Sequence, residues 1–174
     1  MRPLITALGL LAAWEALTWL TGVPPYILPP PSRVAVVLVE RFDLLIEQGL
    51  WTAAEMTLGL ILGLTLGASL AVVFAVSAGW RRWALPLVIV SQAVPVIAIA
   101  PLLVLWLGYG MASKVAMAAL VIFFPVVSTL YDGLRRTDPG WLDLAHTMDA
   151  GSRATLFQIR LPAALPAFAS GARI

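Results

Sequence analysis

The chain has 174 residues, of which 61% are hydrophobic and 11% are charged, and its net charge is +2. Because soluble domains carry about 25% charged residues, this composition predicts a membrane protein with several spans. The sequence contains no cysteine and one histidine, which excludes disulfides, thiolate metal sites and most histidine-based catalytic sites. The small net charge argues against nucleic-acid binding, and no G-x-x-x-x-G-K-[ST] run for binding ATP is present.

An apolar segment at residues 1–23, interrupted by Glu15, begins the chain. It is either a cleaved signal peptide or a retained first transmembrane helix. Trp14, Glu15 and Trp19 fit poorly in the apolar part of a signal peptide, so we favour a retained helix. Glu15 then needs a contact with protein or water, because a carboxylate that faces lipid is energetically costly.

Residues 24–49 are predicted to lie outside the membrane on the extracytoplasmic side. The proline-rich stretch 24–32 should run extended, since proline-rich sequence favours the polyproline conformation. Ser32 can cap a helix over residues 33–48, which Gly49 can end. That helix carries too many charged side chains to span the bilayer, but it is apolar enough to lie on its surface.

Residues 50–174 contain further apolar stretches of the length that a transmembrane helix needs. The predicted spans are 53–79, 84–107 and 114–133, and a further span starts at 163–174. Gly59, Gly63 and Gly67 recur every four residues, which predicts close packing against a neighbouring helix.

The span at 84–107 contains Pro86, Pro95 and Pro101, which should break or kink it. Broken helices persist in membranes where they are buried in protein or line a cavity. The candidate residues of a substrate pathway are therefore Ser91, Gln92 and Pro95, with Glu55 at the outer end of the preceding span. The alternative is a kink satisfied by neighbouring helices, with Glu55 only anchoring its helix.

Residues 138–162, DPGWLDLAHTMDAGSRATLFQIRLP, form a polar stretch between two apolar blocks. The pattern predicts two short helices. Asp138 can cap the first, and Gly151 can end it in a left-handed turn. Ser152 can cap the second, and Pro162 should stop it.

Charge predicts the orientation of the spans. With the N-terminus inside, seven arginines are cytoplasmic and three cations are outside, in agreement with the positive-inside rule. The seven are Arg2, Arg81, Arg82, Arg135, Arg136, Arg153 and Arg160, and the three are Arg33, Arg41 and Lys114. This orientation puts residues 138–162 in the cytoplasm.

Residues 143–162 resemble the EAA motif of binding-protein-dependent ABC importer permeases, in which EAA, three residues, Gly, nine residues and I-x-L-P follow one another. Asp143 stands for the Glu, Ala145 matches, and Asp149 replaces the Gly. Aspartate tolerates the left-handed conformation better than most residues do. Residues 28–32 and 95–110 are similar to the sulfonate, nitrate, taurine and thiamine-precursor branch of these permeases.

This resemblance implies an all-α polytopic bundle, a MetI-like type I permease in the bacterial cytoplasmic membrane. It implies no catalytic residues, no metal and no cofactor, because ATP would be bound by a separate cytoplasmic ATPase. The other implied partners are a periplasmic solute-binding protein, a second copy of the chain and membrane lipid. Coupling helices at 138–161 would enter the ATPase. The implied contact residues are Asp143, Leu144, Ala145, His146, Met148, Asp149, Ala150, Gly151, Arg153, Phe157, Ile159, Leu161 and Pro162.

The sequence predicts four spans and the start of a fifth. Because such permeases have more spans than this, a C-terminal truncation is expected. A truncated, non-transporting permease that acts as a membrane scaffold is the alternative. A membrane-embedded enzyme would need paired Asp, or Ser with His, within the spans, and neither occurs. The sequence of residues 98–109 most resembles that of the thiamine-precursor permeases. Alkanesulfonate, taurine and nitrate are the other implied substrates.

Overall fold

The computed structural model describes residues 2–173, and within that range the protein is helical and has no strand. This confirms the prediction of an all-α fold. In chain order the helices are α1 Arg2–Thr21, α2 Pro31–Glu40, α3 Phe42–Val76, α4 Ala78–Ser91, α5 Val96–Leu107, α6 Met111–Arg135, α7 Pro139–Thr147, α8 Ser152–Ala154, a π-helix Thr155–Arg160, and α9 Leu161–Gly171.

Among the described residues, α1, α3 and α6 are long and apolar enough to cross a membrane. The pair α4 and α5 passes the same test together and is bent by 99° at the break between the two helices. The break was predicted from the three prolines and is confirmed. Pro95 ends the break and precedes α5, whereas Pro86 and Pro101 lie inside helices.

Contacts divide the chain into a first unit that ends at Thr52 and a second that begins at Ala53. In the first unit, Glu15 accepts two hydrogen bonds from Ser32. The Ser32 N–H donates to Oε2 at 3.0 Å and its hydroxyl donates to Oε1 at 2.7 Å. The expectation that Glu15 has a protein contact is therefore confirmed.

Three predictions for residues 24–49 are wrong. Residues 24–28 form a turn rather than an extended segment, since the N–H of Ile27 donates to the carbonyl of Pro24 at 2.9 Å. Ser32 lies inside α2, and Pro30 takes the capping position. The helix divides at Arg41, and Gly49 lies within α3 because the apolar sequence beyond it continues the helix.

Arg81 and Arg82, with a tryptophan on either side, lie within α4. The helix begins after Ser77, whose hydroxyl oxygen accepts from the N–H of Trp80 at 3.5 Å. A serine in extended conformation is a favoured N-cap, so the helix starts before the arginines.

The core of the second unit lies where α3, α6 and α9 meet. Its buried members are Ala71, Phe74, Val127, Leu130, Tyr131, Leu134, Leu156 and Ala164. The rings of Phe74 and Tyr131 pack edge to face, with centroids 6.1 Å apart. Because Leu156 belongs to the π-helix, this core connects the polar stretch at 138–162 to the longer helices.

Gly59, Gly63 and Gly67 form a glycine face on α3 that packs against α6. A Cβ added at Gly63 would lie 2.7 Å from the carbonyl oxygen of Ala119 and 2.8 Å from Cβ of Ile122. A Cβ added at Gly67 would lie 2.8 Å from Val126. The close packing predicted from the glycine spacing is confirmed.

Candidate functional site

We define the candidate docking segment as residues 138–162, which comprise α7, α8, the π-helix and the start of α9. Its first helix begins as the sequence predicts. Oδ1 of Asp138 accepts a hydrogen bond from the N–H of Gly140 at 2.7 Å, and Pro139 is the first helical residue. The cap satisfies a backbone donor that the helix itself cannot pair, and proline there has no donor to lose.

The left-handed residue in the turn after α7 is Asp149, with φ at 54°, and it is the only non-glycine residue with positive φ in residues 2–173. The prediction that Gly151 takes this conformation is wrong, since its φ is −62°. The N–H of Ala150 donates to the carbonyl of Ala145 at 2.9 Å and closes the end of the helix. Asp149 therefore supplies the backbone conformation for which glycine is best suited.

We predict that Asp149→Gly preserves α7 and, with the ATPase that the motif's resemblance implies, raises the rate of ATP hydrolysis coupled to transport, because glycine adopts positive φ freely and leaves room at the turn. Asp149→Val is the matched control. It should lower the free energy of unfolding by roughly 1–2 kcal/mol, because a β-branched side chain tolerates the left-handed conformation less well than Asp does. Thermal unfolding and ATPase assays measure the two effects, and an unaltered or lower coupled rate for Asp149→Gly would contradict the prediction.

The second half of the candidate docking segment differs from the prediction. Ser152 is the first residue of α8 and Gly151 occupies the capping position without a side chain to cap. Pro162 does not stop the helix but lies in the first turn of α9. The residues before it adopt the wider π-helical turn, and a wider turn reduces the conflict between a proline ring and the preceding carbonyls.

The predicted contact residues divide by exposure. Ala145 is buried at 3% exposure, whereas Leu144, Met148 and Phe157 are exposed at 58%, 74% and 59%. Asp143, His146, Asp149, Gly151, Arg153 and Pro162 are also exposed, and Ala150, Ile159 and Leu161 are half-buried. The buried side chain of Ala145 therefore packs α7 on the rest of the chain, whereas the neighbouring apolar side chains, Leu144 and Met148, are exposed.

An apolar groove of about 610 Å³ runs between α7 and the helical segment that follows. Its lining residues are Trp141, Leu144, Ala145, Met148, Ala150, Gln158, Ile159, Pro162 and Ala163. Contiguous exposed apolar surface of this kind typically marks a site of protein–protein or ligand interaction. The groove brings together residues from both halves of the predicted motif.

Arg160 is not among the contact residues that the motif implies, but it makes a long-range contact. Its Nε and Nη2 donate to the carbonyl oxygen of Leu134 at 3.1 and 2.9 Å. Leu134 lies in the last turn of α6, 26 residues earlier in the chain. A cation favours the C-terminal end of a helix, but nothing local in the sequence indicates which helix end an arginine reaches.

The candidate pathway residues lie in two places. Gln92 lines a cavity of about 230 Å³ with Val94, Val96, Val121, Phe124 and Pro125. Ser91 precedes this cavity, and its hydroxyl donates to the carbonyl of Val88 at 2.8 Å. Pro95 is at the break but is not part of the lining.

Residues 2–173 contain no cluster of three or more His, Asp or Glu side chains that could hold a metal ion.

Glu55 is separate from that cavity and pairs with Lys114. Nζ of Lys114 lies 2.9 Å from Oε1 of Glu55, whose side chain is 11% exposed while that of Lys114 is 62% exposed. The pair joins α3 to the start of α6. This arrangement agrees with the interpretation of Glu55 as an anchor.

We predict that Lys114→Met lowers the free energy of unfolding by about 1–3 kcal/mol, because it leaves a largely buried acceptor unpaired. The double variant Glu55→Gln with Lys114→Met should recover part of this loss, since it removes the unpaired charge. Thermal unfolding of the purified protein measures both values. Equal stability of the two variants would contradict this expectation, and the single variant Glu55→Gln completes the double-mutant cycle that gives the coupling energy.

Comparison with known proteins gives the same family that the motif suggests. The family described as "Binding-protein-dependent transport system inner membrane component" matches residues 59–174. A relative from Haemophilus influenzae named "Probable ABC transporter permease protein" is 47% identical over the whole chain and 71% of its own length. No solved structure matches the chain significantly.

The names of two further relatives include a solute. The "Formylaminopyrimidine transport permease protein ThiX" of Halalkalibacterium halodurans is 35% identical over the whole chain and 70% of its own length. The "Taurine transport system permease protein TauC" of Escherichia coli is 28% identical over 95% of the chain and 62% of its own length. The chain therefore belongs to the inner-membrane permease components of binding-protein-dependent ABC importers, which work with a solute-binding protein and an ATPase.

Proposed function

We propose that the chain moves a small heteroaromatic solute across the bacterial cytoplasmic membrane, driven by an ATPase that docks on the candidate docking segment. The observation that carries this proposal is the geometry of α7. Buried Ala145 fixes the helix on its own chain, and exposed Leu144 and Met148 present apolar groups beside a groove.

The exposed side chains supply both affinity and selectivity for the ATPase. Burying a leucine or methionine side chain fully contributes about 1.5–3 kcal/mol, so Leu144 and Met148 are the anchors of the contact. Asp143, His146 and Arg153 are exposed polar residues around them. A polar rim around an apolar centre is the usual organisation of protein–protein interfaces.

The transport mechanism that we propose is mechanical. Two copies of the permease enclose the path, a binding protein delivers the solute from outside, and ATP-driven closure of the ATPases displaces the candidate docking segments. The N-terminus is inside, as the distribution of arginines favours. Residues 1–23 are the first span, 24–49 the extracytoplasmic segment, and 50–174 part of the transmembrane domain.

The solute path includes the break between α4 and α5. Gln92 lines the cavity there among apolar and aromatic side chains of α5 and α6. An amide both donates and accepts hydrogen bonds, and an apolar surround suits a planar ring. No charged side chain lines this cavity within the described chain, which favours a neutral solute over a sulfonate.

The similarity values support the same class of solute. Identity is 35% to the relative named for formylaminopyrimidine transport, 34% to one named for riboflavin transport, and 28% to the one named for taurine transport. A pyrimidine precursor of thiamine is therefore our first candidate. Taurine is the alternative that the test below separates, and alkanesulfonate and nitrate are the further alternatives.

Uptake by cells of the native host tests the proposal. Deleting the gene should lower the uptake of labelled formylaminopyrimidine and leave the uptake of taurine unchanged, and restoring the gene should reverse the loss. Affinity-tagged protein extracted in mild detergent should retain an ATPase subunit that contains a P-loop, identified by mass spectrometry. Loss of taurine uptake alone would contradict the assignment of the solute, and absence of the ATPase would contradict the docking.

A further inference from the structure

We propose that Arg160 is the positioning residue that fixes the candidate docking segment to the end of α6. Its consequence for transport rests on the proposed function, because it assumes that an ATPase displaces the segment. The attachment itself is a property of this chain alone. Because of this attachment, the candidate docking segment and α6 would move together.

The contact is made by two donors of one planar group. Nε and Nη2 of Arg160 lie 3.1 and 2.9 Å from the carbonyl oxygen of Leu134, which is fully buried. The hydroxyl of Thr137 donates to the same oxygen at 3.2 Å, and Thr137 is itself buried. The last carbonyls of a helix have no partner within the helix, so these donors complete the end of α6.

The charge of Arg160 is balanced by the helix end rather than by a carboxylate. In residues 2–173 the only ion pair is that of Lys114 with Glu55. The C-terminal end of a helix carries a partial negative charge, which stabilises a cation placed there. A guanidinium is planar and holds its N–H donors in a rigid fork, so two of them can reach one carbonyl oxygen at the same time.

Arg160 also lines a small cavity with the polar residues His146, Ser152 and Thr155, whereas the packing of the neighbouring residues on the core is apolar. Leu156 of the π-helix belongs to the buried core, and Ala164 of α9 packs so closely on α6 that a Cβ at Gly133 would lie 3.0 Å from its Cβ. Apolar contacts resist separation but have little directional preference. The hydrogen bonds of Arg160 fix the rotation of the segment about its own axis, which apolar packing leaves less constrained.

The π-helix explains how Arg160 reaches Leu134. Arg160 is the last residue of the π-helix, and α9 continues directly from Leu161. A π-helical turn contains more residues than an α-helical turn, so it changes the direction in which the following side chains point. The wide turn thus directs a side chain of the docking motif toward α6.

Distance measurements between spin labels test the attachment without any ATPase. The chain has no cysteine, so cysteines introduced at Thr147 in α7 and Val121 in α6 are the only labelling sites. Both positions are exposed. We expect one narrow distance in the otherwise native protein in lipid nanodiscs, loss of that narrow distance in Arg160→Gln, and partial recovery in Arg160→Lys, which keeps the charge at the helix end.

Two controls separate positioning from general damage to the fold. Arg135→Gln removes an exposed arginine next to Leu134 and should leave the distance narrow. A second label pair, at Leu58 in α3 and Val121 in α6, should stay narrow in Arg160→Gln. An unchanged 147–121 distance in Arg160→Gln would overturn the proposal, as would broadening of both pairs. If Arg160→Gln does not fold, failure of Arg160→Lys to broaden the 147–121 distance would overturn it.

A second measurement concerns transport. If the ATPase docks as proposed, Arg160→Gln should retain the bound ATPase while solute uptake per ATP hydrolysed falls. Loss of the narrow distance together with unchanged uptake would confine Arg160 to a structural role and refute its part in transmission. Failure of docking itself would appear differently, as absence of the ATPase from the native chain.

Discussion

Leu144→Glu is expected to abolish co-purification of the ATPase while leaving the fold intact. Leu144 is 58% exposed, so its replacement creates no cavity in the chain. The variant loses about 1.5–3 kcal/mol of apolar burial in the complex and adds a carboxylate that docking would remove from water. A loss of about 3 kcal/mol corresponds to more than 100-fold weaker affinity.

Thr147→Glu is the matched control for this prediction. Thr147 is exposed on the same helix and its hydroxyl donates to the carbonyl of Leu144 at 2.7 Å. The control adds the same charge to α7 without altering its apolar surface, so the ATPase should be retained. Circular dichroism should show native helix content for both variants. Native amounts of ATPase on Leu144→Glu would mean that this face of α7 is not the docking surface.

Gly63→Ala is expected to destabilise the protein by about 1–3 kcal/mol, and Gly63→Leu by more, because both overpack the contact between α3 and α6. The new Cβ would lie 2.7 Å from the carbonyl oxygen of Ala119, which is backbone and cannot rotate away. The helices must then separate, and the van der Waals contacts along the glycine face weaken. Thermal unfolding in detergent measures the loss.

Gly49→Ala is the control, and its effect should have the opposite sign. Gly49 is also in α3, but a Cβ added there meets nothing within 4 Å. Alanine is preferred to glycine inside a helix by roughly 0.5–1 kcal/mol. A stabilising effect of Gly49→Ala beside a destabilising Gly63→Ala would assign the difference to packing. Equal effects at the two positions would contradict the close contact of α3 with α6.

The features that the sequence predicted correctly are set by local composition or spacing. Apolar stretches predict the long helices, the glycine repeat predicts a packed face, and Pro95 predicts a break. The cap at Asp138 is also local, because the side chain needs only the next two residues to make its hydrogen bond. None of these features depends on a distant part of the chain.

The boundaries of the helices were harder to predict, because a residue that often ends a helix does so only when the sequence beyond it allows this. Gly49 lies within α3, and Pro162 within α9, since apolar helical sequence follows each of them. The left-handed conformation fell on Asp149 rather than on Gly151. There, the position within the turn determined which residue has positive φ, although glycine adopts this conformation more readily than aspartate.

The contacts of the candidate site were the least predictable part. The motif includes Ala145, but only the packing of α7 shows that its side chain faces the chain itself. Arg160 contacts a carbonyl oxygen 26 residues away, a partner that no local pattern indicates. Such contacts depend on how α6 and α9 pack, which local patterns do not determine.

The glycine face has a consequence for how the two helices respond to their surroundings. Hydrocarbon solvates leucine as well as a neighbouring helix does, so the attraction between α3 and α6 comes from close atomic contact rather than from expulsion of water. Along the glycine face such attraction depends little on ionic strength or on pH, in contrast to the ion pair of Glu55 with Lys114 between the same two helices. We therefore expect the contact along the glycine face to persist under osmotic and acid stress that disturbs the polar parts of the protein.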